Sequence, residues 1–243
     1  MIEVKNVYKT YNTGEIHFTA LKDVSLKVEE GEFTSIMGPS GSGKSTFMNI
    51  LGCLDRMDKG SYILNGKDVS HLNDKELAFI RNKEIGFVFQ AFNLLPRITV
   101  LENVELPMVY SGISRKERRE KALTALEKVG LLDRIKHRPN EISGGQKQRV
   151  AIARAIVGSP AVIMADEPTG NLDSKSSEDI IRIFQDLNHE GATILMVTHE
   201  AEVARYSKRI VRFKDGKIVA DSAVEDRVVL LGSSTTSSVE DLE

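Results

Sequence analysis

Apolar and polar residues alternate at residues 2–7 and 24–28, with a loop around residues 12–14. Alternation with a period of two marks strands that bury one face, so the chain is predicted to open with a small antiparallel sheet. The pattern then changes. Phe33–Met37, Ile85–Phe89, residues 161–165 and residues 194–198 are short, mostly apolar runs rich in branched or aromatic side chains. Such runs suit strands covered on both faces of a parallel sheet. Residues 92–141, between the second and third of these runs, differ in character and read as a helical insertion. Within its charge-rich segment 114–128, Ala122, Leu123 and Leu126, followed by Val129, fall at helical spacing, and Ser114 precedes Glu117 by the spacing of a capping box. The run KERREK is the solvated face of that helix. Near the end, residues 210–213 and 217–220 flank Asp215-Gly216, a hairpin signal. Residues 231–243 are rich in Ser and Thr and acidic, and are expected to be a disordered tail or a linker cut short. There is no internal repeat.

Composition narrows this picture without identifying a chemistry. A chain of 243 residues with 41% apolar content can bury a substantial core in one large domain or two small ones. Its 33 basic and 35 acidic residues nearly cancel, so no general attraction to nucleic acid or to an anionic membrane is expected. The one cysteine, Cys53, cannot form an internal disulfide and fits a reducing compartment. Its place just after a glycine-rich motif predicts a helix interior. The first residues, MIEVKNVYKTYN, have neither the basic nor the apolar region of a secretion signal. No apolar run approaches the roughly 18 residues of a membrane span. Any membrane role is therefore expected to need another chain or a segment not in this one.

The chemistry enters at residues 38–45, GPSGSGKS, which match the eight-position phosphate-loop pattern between a buried strand and a helical pattern over residues 46–54. Gly38, Gly41 and Gly43, with Ser40 and Ser42, allow successive backbone N–H groups to wrap phosphate oxygens, and the positive end of the following helix, from Thr46, faces the same anion. Lys44 supplies a mobile cation for the β- and γ-phosphates of ATP, and the Ser45 hydroxyl is suited to Mg²⁺. A second strand, VIMA, ends in Asp166-Glu167. Ligands of open α/β sheets bind beyond the carboxyl ends of parallel strands, so both carboxylates emerge where phosphates would lie. Asp166 can hold the metal, and Glu167 can orient or deprotonate the attacking water.

Ile142 and the motif Ser143-Gly144-Gly145-Gln146, followed by KQRVAIARAI, resemble the signature of ATP-binding-cassette (ABC) proteins. The resemblance implies an α/β phosphate-loop ATPase fold with a parallel core sheet, an N-terminal antiparallel β subdomain and a helical insertion. It further implies that two subunits face head to tail, so that Ser143, Gly144, Gly145 and Gln146 complete the ATP site of a second copy. Gln90, after IGFVF, resembles the glutamine that reaches the metal and the attacking water. His199, after ILMVT, resembles the histidine that contacts the γ-phosphate, Asp173 in GNLD belongs to the loop that crosses the dimer interface, and Tyr11 resembles the aromatic residue that stacks on adenine. Ile142 stands where leucine is commoner, an isosteric change. The matching motifs reach to about residue 220.

Within the family, GCLD at residues 52–55, FNLLP at 92–96, LENVELP at 101–107 and ADEPTGNLD at 165–173 resemble ATPases of the macrolide-export and lipoprotein-release type. The expected function is ATP hydrolysis, with Mg²⁺, by a homodimer that drives a membrane permease for export or mechanotransmission. The permease would dock near Gln90 and FNLLP, and the subunit would lie peripherally on the cytoplasmic side of the inner membrane. The expected division is an ATPase domain over residues 1–230, its core at 1–90 and 143–230 and its helical subdomain at 91–142. A soluble ABC ATPase acting on ribosomes or DNA is the other reading. It is disfavoured because the chain has neither a second cassette nor a coiled-coil interruption, and nucleic acid is not an expected partner.

Overall fold

The computed structural model describes residues 1–14 and 16–230. The tail at 231–243 lies outside the described residues. Strands β1 (Ile2–Thr13) and β2 (Ile16–Val28) form a long hairpin, and β4 (Lys59–Leu64) and β5 (Lys67–Asp68) extend it into an antiparallel sheet of order β2-β1-β4-β5. Both hairpin strands run well past the alternating segments that announce them. Where the register slips between Val4 and Val7, Asn6 adopts a φ of 52° and its amide donates to Asp23 Oδ1 at 2.8 Å. The bulge lets the strand twist and continue to Tyr11.

The second sheet has the order β10-β9-β3-β8-β7-β6, with β3 at Phe33–Met37, β6 at Ile85–Phe89, β7 at Val162–Asp166, β8 at Thr193–Val197, β9 at Arg209–Lys214 and β10 at Lys217–Ala223. All but β10 are mutually parallel. The near-continuous apolar runs are explained by two cores. Ile163, Ala165, Ile194 and Met196 face one, whereas Val162, Met164, Leu195 and Val197 face the other. The first core is closed by α3 (Val100–Tyr110), α4 (Arg115–Lys128), α5 (Gly144–Ile156) and α6 (Ser174–His189). The second traps α1 (Lys44–Leu51) between the two sheets, with Phe47 and Leu51 wholly buried, and is flanked by α2 (Asp74–Glu84). A short α7 (Ala201–Ala204) follows β8.

Asp215 and Gly216 both take positive φ, 50° and 81°, in the turn that joins β9 to β10, as a two-residue hairpin requires. Two local expectations need correction. Cys53 is not in a helix interior: α1 stops at Leu51, and Cys53 sits in the following turn with a φ of 54°. It is nonetheless buried, and burial pushes its thiol pKa up to about 11. Ser114 does cap α4 by accepting from Glu117 N, but only this half of the capping box forms. Glu117 instead pairs with Lys121, one turn along the exposed face.

Candidate functional site

The phosphate loop joins β3 to α1, and its conformation is enforced by packing. Gly43 caps α1 with a φ of 101°, and a Cβ there would lie 2.6 Å from the carbonyl oxygen of Ala20. Only glycine fits both conditions. Lys44 is buried, and its ammonium donates to Gly38 O and Pro39 O, each at 2.8 Å. Burial lowers the Lys44 pKa, while Glu167 and Asp166 oppose the shift and thereby place both acids within electrostatic reach. The Ser42 hydroxyl is buried without a protein partner. Ser45 is exposed in the first turn of α1, beside Thr46.

Asp166 ends β7 and Val197 ends β8 directly beside it. Burial, and then the neighbouring Glu167, push the Asp166 carboxyl above its ordinary pKa, with Lys44 opposing. Glu167 lies in the left-handed region, φ 45°, and its N–H donates to Val197 O at 2.9 Å. Its Oε1 lies 2.9 Å from Nδ1 of His199. With Glu167 ionised, that ring nitrogen carries the proton and donates. Thus Lys44, Asp166, Glu167 and His199 converge at the carboxyl edge of the parallel sheet.

Gln90 follows β6, whose last residue, Phe89, lies beside Asp166. Among the described residues its side chain makes no hydrogen bond to either acid. Its amide donates to Asn171 Oδ1 at 3.5 Å, and Asn171 Nδ2 returns a bond to Gln90 O at 3.1 Å. Asn171 was not singled out in the sequence, although the GNLD segment brackets it. Tyr11 lies further out on β1. Its hydroxyl donates to Asp55 Oδ2 at 2.8 Å, and the Lys9 ammonium, bonded to Asp55 Oδ1 at 2.7 Å, lies 5.1 Å from the ring centroid. Burial first, and the Asp55 carboxylate after it, raise the Tyr11 pKa, and the Thr46 side chain is close enough to counter them. No local pattern links Lys9 to Asp55, so neither was legible as a support for Tyr11.

A second constellation sits at the start of α5. Ser143 is its N-cap, and here the capping box is complete: Gln146 N donates to Ser143 Oγ at 3.2 Å and Ser143 N to Gln146 Oε1 at 3.0 Å. Gly145 is held against the next helix, since a Cβ there would lie 2.9 Å from Ser176 Oγ. Asp173 caps that helix, α6, accepting from Ser176 N and Oγ, and these bonds hold its carboxyl below the usual range. Two helix N-termini therefore stand side by side. Among the described residues no hydrogen bond joins Ser143–Gln146 to the phosphate loop, so one chain brings together the first constellation and not the two.

The donor set suits Mg²⁺ better than a metal caged by protein. Among the described residues no three His, Cys, Asp or Glu side chains converge as a metal site. A hydroxyl at Ser45 and one strand-end carboxylate at Asp166 match a cation that keeps waters and shares phosphate oxygens.

The chain matches the ABC transporter family over residues 21–170. It is 60% identical over 223 residues to YknY, an uncharacterized ABC transporter ATP-binding protein of Bacillus subtilis, covering 92% of this chain and 97% of that one. It is 55% identical over 226 residues to the macrolide export ATP-binding/permease protein MacB of Chlorobaculum tepidum, covering 93% of this chain but 35% of that longer one. Among solved structures, the dimeric post-hydrolysis state of the ATP-binding cassette MJ0796 bound to ADP and Pi aligns with a TM-score of 0.85 at 48% identity, covering 92% of this chain and 99% of that one.

Proposed function

The chain belongs to the ABC transporter ATP-binding family, and from that premise we propose that its two constellations are complementary halves of one ATP site, each completed by a second copy. The protein is the ATP-binding and ATP-hydrolysing subunit of an ABC transporter. It acts as a dimer and serves a membrane permease. Among the described residues no helix is long and apolar enough to cross a membrane, and the subunit associates peripherally with its transporter. By likeness to the macrolide exporters, the transporter works in export or mechanotransmission, and the subunit lies on the cytoplasmic side.

The observation that carries the shared site is that Lys44, Asp166, Glu167 and His199 are assembled in one chain, while among the described residues no hydrogen bond joins the phosphate-suited helix start at Ser143 to any of them. In our assignment, the residue 38–45 loop and Thr46 hold the phosphates, Tyr11 takes the adenine, and Ser45, Asp166 and Gln90 hold Mg²⁺. When bound, that cation neutralises developing charge on the phosphate oxygens. Glu167 receives the proton of the attacking water, and His199 holds the glutamate in place. Ser143 to Gln146 close on the nucleotide of the other copy, with Asp173 at the interface. The division at residues 91–142 is likewise our proposal, since it sets α3 and α4 apart as the unit that packs against the signature helix α5.

We place the permease at a cavity of about 720 Å³ between α2, β6, α3 and α5. Its lining is apolar, with Phe87, Phe89 and Leu106, and its rim exposes Phe79 at 63% and Tyr110 at 81%. Asn93, three residues past Gln90, also lines it, so a segment seated there is one short loop from the catalytic edge.

Glu167→Gln is expected to bind ATP, to lose turnover by on the order of 10²- to 10⁴-fold, and to accumulate as an ATP-bound dimer. Size-exclusion chromatography with light scattering reads this directly. A species that stays monomeric while ATP is demonstrably bound would overturn the shared-site reading.

A further inference from the structure

Glu167 is held in a backbone conformation that a non-glycine residue rarely adopts, φ 45°, and something must hold it there. Its own N–H is fixed by Val197 O, and Gly170 N closes a turn on Glu167 O at 3.1 Å. Inside that turn, the carbonyl of Pro168 points back to α5, where Gln148 Nε2 donates to it at 2.8 Å. Gln148 is wholly buried, and its other amide atom, Oε1, finds no protein partner. Burying an amide with one end unsatisfied is costly, so the bond it does make is the reason for an amide at this position. Val150, Ile152 and Ala153 of the same helix are equally buried and entirely apolar.

We propose that Gln148 is a positioning residue for hydrolysis: from the signature helix it fixes the turn that aims the Glu167 carboxylate within its own subunit. This rests on the shared-site reading above. The helix would then serve two different sites. Its first residues, Ser143 to Gln146, face the nucleotide of the neighbour, whereas Gln148, still within the opening turns of α5, supports the glutamate of its own chain. Gln148 touches no nucleotide, so it should affect the rate of the chemical step and leave ATP affinity alone.

The test uses complementation in the full chain. Ser143→Arg subunits and Glu167→Gln subunits are each inactive alone. Mixed, they form one working site from the first subunit's Glu167 and the second subunit's signature. Gln148→Leu is then added to one subunit or the other. Beside the intact Glu167 it is expected to lower kcat on the order of 10²-fold, as a misplacement near 1 Å can, with KM for ATP within about twofold. On the subunit that supplies the signature it should leave turnover at the level of the parent mixture. Loss only in that second placement would mean that the substitution damages the signature helix itself, and would overturn the proposal, as would equal effects in both placements or no effect in either. If the parent mixture shows no recovered turnover, the shared-site reading fails on its own, before Gln148 is touched. Should Gln148→Leu not fold, Gln148→Glu takes its place. As a carboxylate it faces the Pro168 carbonyl without a donor, and as a neutral acid it can donate. Its turnover relative to the parent mixture at the same pH should rise on acidification, and a flat ratio well below one would overturn the proposal.

Discussion

Arg154, in the last turn of α5, donates to Phe92 O at 2.9 Å and to Asn93 O at 2.6 Å. Both acceptor residues are left-handed, with φ of 60° and 49°, and they lie two and three residues past Gln90. Arg154→Met keeps the apolar stem and removes both donors. Hydrogen bonds to charged donors contribute about 1.5–3 kcal/mol each. Arg154 is only half-buried, so the lower end applies and the pair contributes about 3 kcal/mol. If the loop relaxes in part and releases about 1 kcal/mol of left-handed strain in all, the net loss is about 2 kcal/mol. For a chain of this size that corresponds to a fall in Tm of roughly 4–8 °C. Arg154→Lys places one point charge where a planar fork spans two carbonyls, and should recover about half of the loss. Thermal unfolding followed by circular dichroism reads both. A Met variant melting within about 1 °C of the parent, or a Lys variant equal to the parent, would refute the bidentate clamp.

Two further outcomes follow from the geometry around Asp166 and Gly43. Asp166→Asn is expected to raise the Tm of the nucleotide-free protein at pH 8, while weakening Mg-ATP binding. The sign follows from burial. A carboxyl whose pKa is raised on folding costs stability above its folded pKa, and that cost disappears as pH falls below the ordinary carboxylate range, so the gain should shrink toward pH 4. A lower melting point than the parent at pH 8 would contradict this. Gly43→Ala should cost about 3 kcal/mol in urea unfolding, from left-handed strain and an overpacked contact with Ala20 O together. Gly41→Ala, with a φ of 76° and open space around it, should cost only the backbone share of about 1 kcal/mol. Equal costs at the two positions would show that the Ala20 contact does not matter.

Strands β3, β6, β7 and β8 were legible because they lie between two cores and are mostly apolar, with few buried polar side chains among them, such as Thr34 and Ser35 of β3 and Thr193 of β8. The helix starts at Lys44 and Gly144 were legible because their chemistry is local, written in consecutive glycines and a capping serine. What escaped depends on distant partners. The strand β4 and the helix α2 carry mixed polar sequences, and only the pairing of β4 with β1 and the packing of α2 beside β6 in the second core give them a buried face. Cys53 was misplaced because residues 46–54 continue an apolar spacing past Leu51, while Gly52 and the left-handed Cys53 break the helix. The supports of the site were the least legible. The Lys9–Asp55 pair beneath Tyr11 and the Gln90–Asn171 exchange join segments far apart in sequence.

Asp166 and Glu167 show why two adjacent acids can hold different tasks. Successive residues of an extended strand point to opposite sides, but that alternation alone would turn one acid toward a core. The left-handed φ at Glu167 ends the strand instead, so both carboxyls stay at the carboxyl edge in different surroundings. Asp166 remains in the last ladder position of β7, within electrostatic reach of Lys44, a fixed place that suits the metal ligand we propose it to be. Glu167 turns toward His199 and keeps its side chain 26% exposed, the access to water that the proton acceptor we propose it to be needs. Pro168 then favours the tight turn that follows, because its ring presets φ at the second position of such a turn. Pro168 can give the turn no N–H bond of its own, which leaves its carbonyl as the one handle by which a neighbouring helix can hold it. Gln148 takes that handle, so in our proposal the strain at Glu167 is supported from the same helix whose start would serve the neighbouring subunit.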